Sequence, residues 1–327
     1  MIIASTGMML VFRGQIIDFV EKDTYRIATP PTTQHRFSLQ ELLDKIHDNS
    51  QKSNPTGITL NSDPHAPIII SWGESNALFV NPYTGVVLGN GSRIRHWLEN
   101  VEYWHSWLGM KGRWKPLGGG IKRACNVAFL FMILTGLYLW WPLREWSWHQ
   151  VIGFWSAPFL VIISLTGIIM SYPWANNLLY KMTGNEPPEI QSHYHDDADD
   201  KGQRPNVSLE ALFTRAQQQV SDWKTITLSV SPHPDAPAVF YIKENGVGHY
   251  SQLILNRVNA RVIKWEPYSS QNTGHKLSDF MYYLHTGEAG GSIGQIIAFL
   301  AAGGVLLLVW TGLAKAWRRF FYTKESS

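Results

Sequence analysis

The chain has 327 residues, with 28 Lys and Arg against 25 Asp and Glu and a formal net charge of +3, too small an excess to argue for a nucleic-acid partner. Its one cysteine, Cys125, excludes an intrachain disulfide, a thiolate metal site and covalently attached haem. A mean hydropathy of -0.13 excludes a chain made only of membrane helices, yet fifteen tryptophans suit a protein with many lipid–water boundaries.

The first element, Met1 to Phe12 (MIIASTGMMLVF), is apolar but is about half the length that a ~30 Å hydrocarbon layer requires. It lacks the charged n-region and cleavage site of a signal peptide, so residues 1–12 are expected to be a partial transmembrane helix. Residues 13–100 are polar enough for a water-soluble domain. There Ser38 and Glu41 form a capping box at the start of FSLQELLDKI, and strand-like ALFVN and GVVLG flank Pro82-Tyr83-Thr84-Gly85. Helix followed by antiparallel hairpin is the expectation. Residues 101–142 hold a helix bearing His105 (ENVEYWHSWLGMKG) and then a second span, Ala124 to Trp141.

Residues 143–174 carry the third span. Val151 to Tyr172 has no charged side chain, and one turn before it stands His149. A second soluble domain is expected over residues 175–274, entered through a solvated linker, Glu186 to Pro205. His193 and His195, beside Asp196 and Asp197, read as part of that acidic linker rather than as an ion site. His65 and His233, each after a proline, read as turn residues. Residues 275–316 repeat the earlier plan, with His285 in SDFMYYLHTGEAGG followed by a fourth span, Ile293 to Ala314, and residues 317–327 form a tail.

The chain echoes itself. Thr-Gly pairs begin at Thr6, Thr135, Thr166 and Thr311; FSLQELLDKI matches VSLEALFTRA, and ITLNSDPHAP matches ITLSVSPHPDAP, with partners about 160 to 180 positions apart. The simplest account is an internal duplication of one unit: span, soluble domain, span. The expected fold is therefore a membrane all-α four-helix bundle, its first helix truncated, with two α+β domains. Met1 lies five residues before Thr6 whereas His149 lies seventeen before Thr166, so the duplication calls for an upstream half-span led by a histidine. Charge does not orient the bundle, since Lys111, Arg113, Lys115, Lys122 and Arg123 balance Arg144, Lys315, Arg318, Arg319 and Lys324.

Ionisable residues at membrane depth are costly and are functional candidates for that reason. His105 and His285 hold matching places in the two copies, which invites a ligand shared between them in one gap between the second and fourth spans. Paired neutral imidazoles among apolar helices suit a b-type haem, whose iron takes two axial nitrogens. Zinc needs three or four protein ligands, and no such cluster lies near the spans. The Thr-Gly pairs read as helix-packing devices. No dinucleotide fingerprint, phosphate loop, zincin motif or Ser/His/Asp arrangement stands out.

LTGLYLWWP, VNPYTGVVLG, YWHSWLG, YLHTGE and WHQVIGFW with LTGIIMSYP together resemble the PepSY-associated transmembrane-helix family, which includes inner-membrane ferric-siderophore reductases and other iron-regulated membrane proteins. The resemblance covers nearly the whole chain. It implies PepSY-type extracytoplasmic domains in the periplasm, a multi-pass bacterial inner-membrane protein and two haems b, with His105 and His285 as periplasm-side axial ligands and His149 as the one near the cytoplasm. The family's histidine-led approach to the first span has no counterpart here, which leaves one haem or two.

The expected function is transfer of electrons across the membrane to reduce ferric iron, held by a siderophore, outside it. The implied partners are the ferric-siderophore, membrane lipid and an unidentified donor, a quinol or a redox protein, because no flavin or nicotinamide motif is present. The competing expectation is a non-catalytic, membrane-anchored PepSY protein that binds or regulates an extracytoplasmic partner. An iron permease is disfavoured by spans without carboxylates.

Overall fold

The computed structural model describes residues 1–22, 25–27, 36–49, 55–72, 76–143, 147–187, 207–231, 236–246 and 248–321. In chain order these form α1 (Ile2–Leu10), α2 (Arg13–Glu21), α3 (Leu39–Asn49), β1 (Gly57–Asn61), β2 (Ile68–Trp72), β3 (Asn76–Val80), β4 (Val87–Gly89), α4 (Arg93–Trp107), α5 (Lys115–Leu143) and α6 (Trp148–Ser171). There follow α7 (Pro173–Met182), α8 (Leu209–Gln217), β5 (Thr225–Ser229), β6 (Ala238–Lys243), β7 (Tyr250–Leu255), β8 (Val262–Glu266), α9 (Thr273–Thr286) and α10 (Gly291–Phe321). His193, His195, Asp196, Asp197, His233 and Arg144 lie outside the described residues.

The elements divide into a helical unit and a sheet unit. Among the described residues, three helices of the helical unit are long and apolar enough to cross a membrane: Gly112–Trp140, Trp148–Ser171 and Glu288–Arg318. The pair α1 and α2 meets the same test only together, bent by 48° at the break between them. Ser147 and Gln150 form a reciprocal capping box at the start of α6, which gives two of its otherwise unsatisfied N-terminal amides a partner. α6 packs against α5, α9 and α10, and α1 packs against α10. Leu160, Ala301 and Val305 form the centre of that packing, while Phe131, Leu139, Leu300 and Leu313 point outward, as side chains meant for lipid do.

Each histidine-bearing helix turns sharply into a span. α4 ends at Trp107, with Leu108 and Gly109 at φ of 52° and 73°, and α9 ends at Thr286, capped by Gly287 with φ 82°. The turns are closed by glycine contacts: a Cβ on Gly118 would press on the Trp107 carbonyl, and one on Gly294 on the Gly287 carbonyl, both well inside 3.0 Å. Trp107 and Gly287 each stand two residues beyond a histidine, so the same closure recurs in both halves.

The sheet unit is one antiparallel sheet of eight strands in the order β4-β3-β2-β1-β5-β6-β7-β8. Alternate residues of β1, β2, β5 and β6 are buried, which is the period-two pattern of a sheet with one face in a core. α3 and α8 cover that face with Leu39, Leu42 and Ile46 from one and Leu212, Phe213 and Ala216 from the other. Phe213 meets Phe240 edge-on, ring centres 5.2 Å apart. Ser38 and Glu41 make the expected capping box, and the Leu39 amide donates to the Glu210 carboxylate of α8 at 2.9 Å. His65 sits in the turn after β1, its Nδ1 3.1 Å from the Ile27 carbonyl.

Two expectations change here. Instead of separate domains over 13–100 and 175–274, the two segments share a sheet, joined where β1 pairs with β5 in the register Ile58–Leu228 and Thr59–Thr227. The threonine hydroxyls meet across that seam at 2.9 Å. A lone four-stranded sheet with one helix would leave β1 as an open edge, and pairing with β5 removes it. The start of the second segment also differs: α7 packs on α9 within the helical unit.

Candidate functional site

His105 lies near the C-terminus of α4 and His285 near that of α9. Their ring centres are 6.4 Å apart, with planes inclined by 57°. They are seated against α1 and α6. His105 Nδ1 is 3.0 Å from Thr6 Oγ1, and the Ile3 carbonyl also accepts from this ring. His285 Nδ1 is 3.0 Å from both Thr166 Oγ1 and the Ile163 carbonyl oxygen. Ile3 and Ile163 each precede their threonine by three residues.

These partners define the tautomer. Thr6 donates its hydroxyl proton to the carbonyl of Ile2 at 2.8 Å, and Thr166 does the same to Ile162 at 2.8 Å, which leaves each oxygen a lone pair to accept with. A carbonyl can only accept. Nδ1 therefore carries the proton in both rings, and Nε2 keeps its lone pair. Burial pushes the His105 imidazole down to about 4, with the nearby His285 and Lys122 charges adding to it. Burial lowers His285 as well, against the opposing Ile163 hydrogen bond. Both rings are neutral at ordinary pH.

The glycine after each threonine gives the ring room. A Cβ on Gly7 would stand 3.2 Å from His105 Cε1, and one on Gly167 would stand 3.2 Å from His285 Cε1 and 2.9 Å from Asn126 Nδ2. The arrangement occurs a third time. His149 Nδ1 is 2.7 Å from Thr311 Oγ1, whose proton goes to the Leu307 carbonyl at 2.7 Å, and Gly312 faces His149 Cε1. At the fourth pair, Thr135 bonds the Phe131 carbonyl of its own helix and Gly136 has nothing within 4 Å, so no imidazole meets it among the described residues.

The sequence profile described as the PepSY-associated TM region matches residues 1–319. The chain belongs to the PepSY-associated TM region family. No curated protein matches it. Family membership and the three apolar helices make this PepSY-associated protein a membrane protein.

Haem is the group that the family resemblance brings to these histidines, and the residues of this PepSY-associated chain can be tested for fit. Two imidazoles sharing one iron need ring centres roughly 6.4 to 6.6 Å apart, from metal–nitrogen bonds of about 2.0–2.1 Å and about 1.2 Å from nitrogen to ring centre. The observed 6.4 Å falls in that range. Among the described residues no group of three or more His, Cys, Asp or Glu is placed to hold a metal ion. The residues fit. Sequence reasoning singled out His105, His285 and His149 but not the threonines beside them; the recurrence of Thr-Gly in every span was the available signal.

Proposed function

We propose that this PepSY-associated protein is a haem-containing reductase of the bacterial inner membrane, passing electrons outward to ferric iron held by a siderophore in the periplasm. The observation that carries the reading is the 6.4 Å separation of the His105 and His285 rings, each neutral and each with Nε2 left to bind. On this reading the chain is a duplicated four-span bundle, with α1 beginning the first span and α5, α6 and α10 as the others, and the sheet unit is periplasmic. His105 and His285 would hold the outward haem b, and His149 would serve a second.

When bound, haem supplies a one-electron ferric/ferrous couple. The chain's own part is positional. Thr6 and Thr166 keep the Nδ1 protons in place, Gly7 and Gly167 let the rings lie close to their helices, and the apolar spans keep water from the imidazoles. The substrate's chemistry explains the product: siderophore oxygens are hard ligands that favour Fe(III), so gain of one electron loosens the chelate and frees Fe(II). The donor is a quinol or a redox protein.

The test is a visible spectrum of the protein purified from detergent-solubilised membranes. A Soret band with low-spin character is expected, and His105→Ala and His285→Ala should each remove it for this site and abolish ferric-siderophore reduction. Colourless but folded protein would overturn the reading and leave a non-catalytic PepSY binding role. Unchanged spectra in both variants would overturn the pairing.

A further inference from the structure

We infer that Thr6, Thr166 and Thr311 are positioning residues: each Thr-Gly pair is a seat for one imidazole, in which the threonine oxygen accepts a hydrogen bond from Nδ1–H and the glycine admits the Cε1 edge. This rests on reading His105, His285 and His149 as iron ligands. Small residues at helix contacts are common and need no special account. Here, however, three pairs on three helices address three histidines through the same atoms, at Oγ1–Nδ1 distances of 3.0, 3.0 and 2.7 Å. In each case the hydroxyl oxygen also lies 2.7–2.8 Å from the carbonyl four residues back, which can only accept, so with the hydroxyl proton directed there the oxygen faces the ring as an acceptor.

The consequence lies at the opposite nitrogen. An acceptor on Nδ1–H withdraws that proton partway, raises the basicity of Nε2 and so favours the ferric over the ferrous ion. The seats thus do two things: they fix which nitrogen faces the metal, and they hold the couple at a lower potential than an unpartnered imidazole would. Packing alone requires neither.

Thr→Val substitutions separate the alternatives, because valine keeps the branched shape and removes the acceptor. The double variant Thr6→Val/Thr166→Val is expected to keep haem but to lower the ferric-over-ferrous affinity ratio by about tenfold, a rise of about 59 mV in midpoint potential for a one-electron couple. Thr→Ser at both positions should restore the wild-type potential. Each single change should have a smaller effect, since the other ring keeps its threonine acceptor. A low-spin haem whose potential is the same in wild type and the valine variant would overturn the inference while leaving the haem reading intact. Absence of haem from the wild type would overturn that reading instead. Should the valine variant fail to fold, 15N spectra of histidine-labelled, haem-free wild-type protein decide the matter: protonated Nδ1 and bare Nε2 in the three seated rings support the seats, and the opposite tautomer overturns them.

Discussion

Adding one methyl group to each Thr-Gly pair in turn should give graded and sign-changing effects. Alanine in place of glycine in a helix interior ordinarily stabilises by about 0.8–1 kcal/mol, while forcing a methyl into a filled space costs about 1–3 kcal/mol. At Gly136 nothing lies within 4 Å and at Gly312 the imidazole is 3.6 Å away, an ordinary contact, so Gly136→Ala and Gly312→Ala should hold or raise the melting temperature. At Gly7 the ring carbon would be 3.2 Å from the new methyl, short of the 3.4 Å at which ordinary contact begins, so the ring must give way by at least about 0.2 Å, comparable to the spread tolerated in metal–ligand bonds. Gly167→Ala meets the His285 ring at the same distance and Asn126 Nδ2 at 2.9 Å, so it should be the most damaging of the four. The assay is thermal unfolding of the detergent-solubilised protein, with the low-spin fraction of any haem read in parallel. If Gly7→Ala and Gly167→Ala behave like Gly136→Ala in both measurements, the rings are not held tightly and the reasoning fails.

The turns into α5 and α10 should be less forgiving still. Gly118→Ala and Gly294→Ala each place a methyl against a backbone carbonyl that cannot swing aside, and both should reduce the yield of monodisperse protein in gel filtration, whereas Gly120→Ala, with open space around it, should not. Helix α3 should show a pH dependence. The Ser38 amide and hydroxyl donate to Glu41 and hold its carboxyl below the ordinary 4.5, so the stabilisation is complete above that value and is lost as pH falls through the lowered one. The protection factor of the Ser38 amide, its exchange rate taken relative to an unstructured peptide at the same pH, should fall over that acid range, and Glu41→Gln should remove the dependence.

The spans were legible because an uncharged, apolar run of about twenty residues matches the thickness of a lipid layer and exceeds what a core helix of a small soluble domain needs. Val151 to Tyr172 emerges as α6 (Trp148–Ser171) and Ile293 to Ala314 within α10 (Gly291–Phe321). Their ends were less so. α5 begins at Lys115, ahead of the expected Ala124, because a helix continues through Lys122 and Arg123 on hydrogen bonds that hydropathy does not register. The capping box at Ser38 was readable from two residues, since its partners lie on the same turn. The β1–β5 seam was not, because alternation of buried and exposed residues identifies a strand without naming its neighbour. The threonine seats were hidden for a related reason: Thr6 and His105 are 99 residues apart, and only packing brings them together.

The seam has a consequence in time. Thr59 and Thr227 are 168 residues apart, with the helices α5 and α6 between them, so at ordinary rates of synthesis the first half of the sheet exists for on the order of 10–30 s before its partner strand emerges. Throughout that interval Gly57 to Asn61 pair with β2 on one side only, and their other edge faces no strand of its own chain, which is the situation in which nascent edges pair with one another. Membrane insertion of the intervening helices therefore proceeds while the sheet is still half built, and any delay there prolongs the exposure of an unfinished edge.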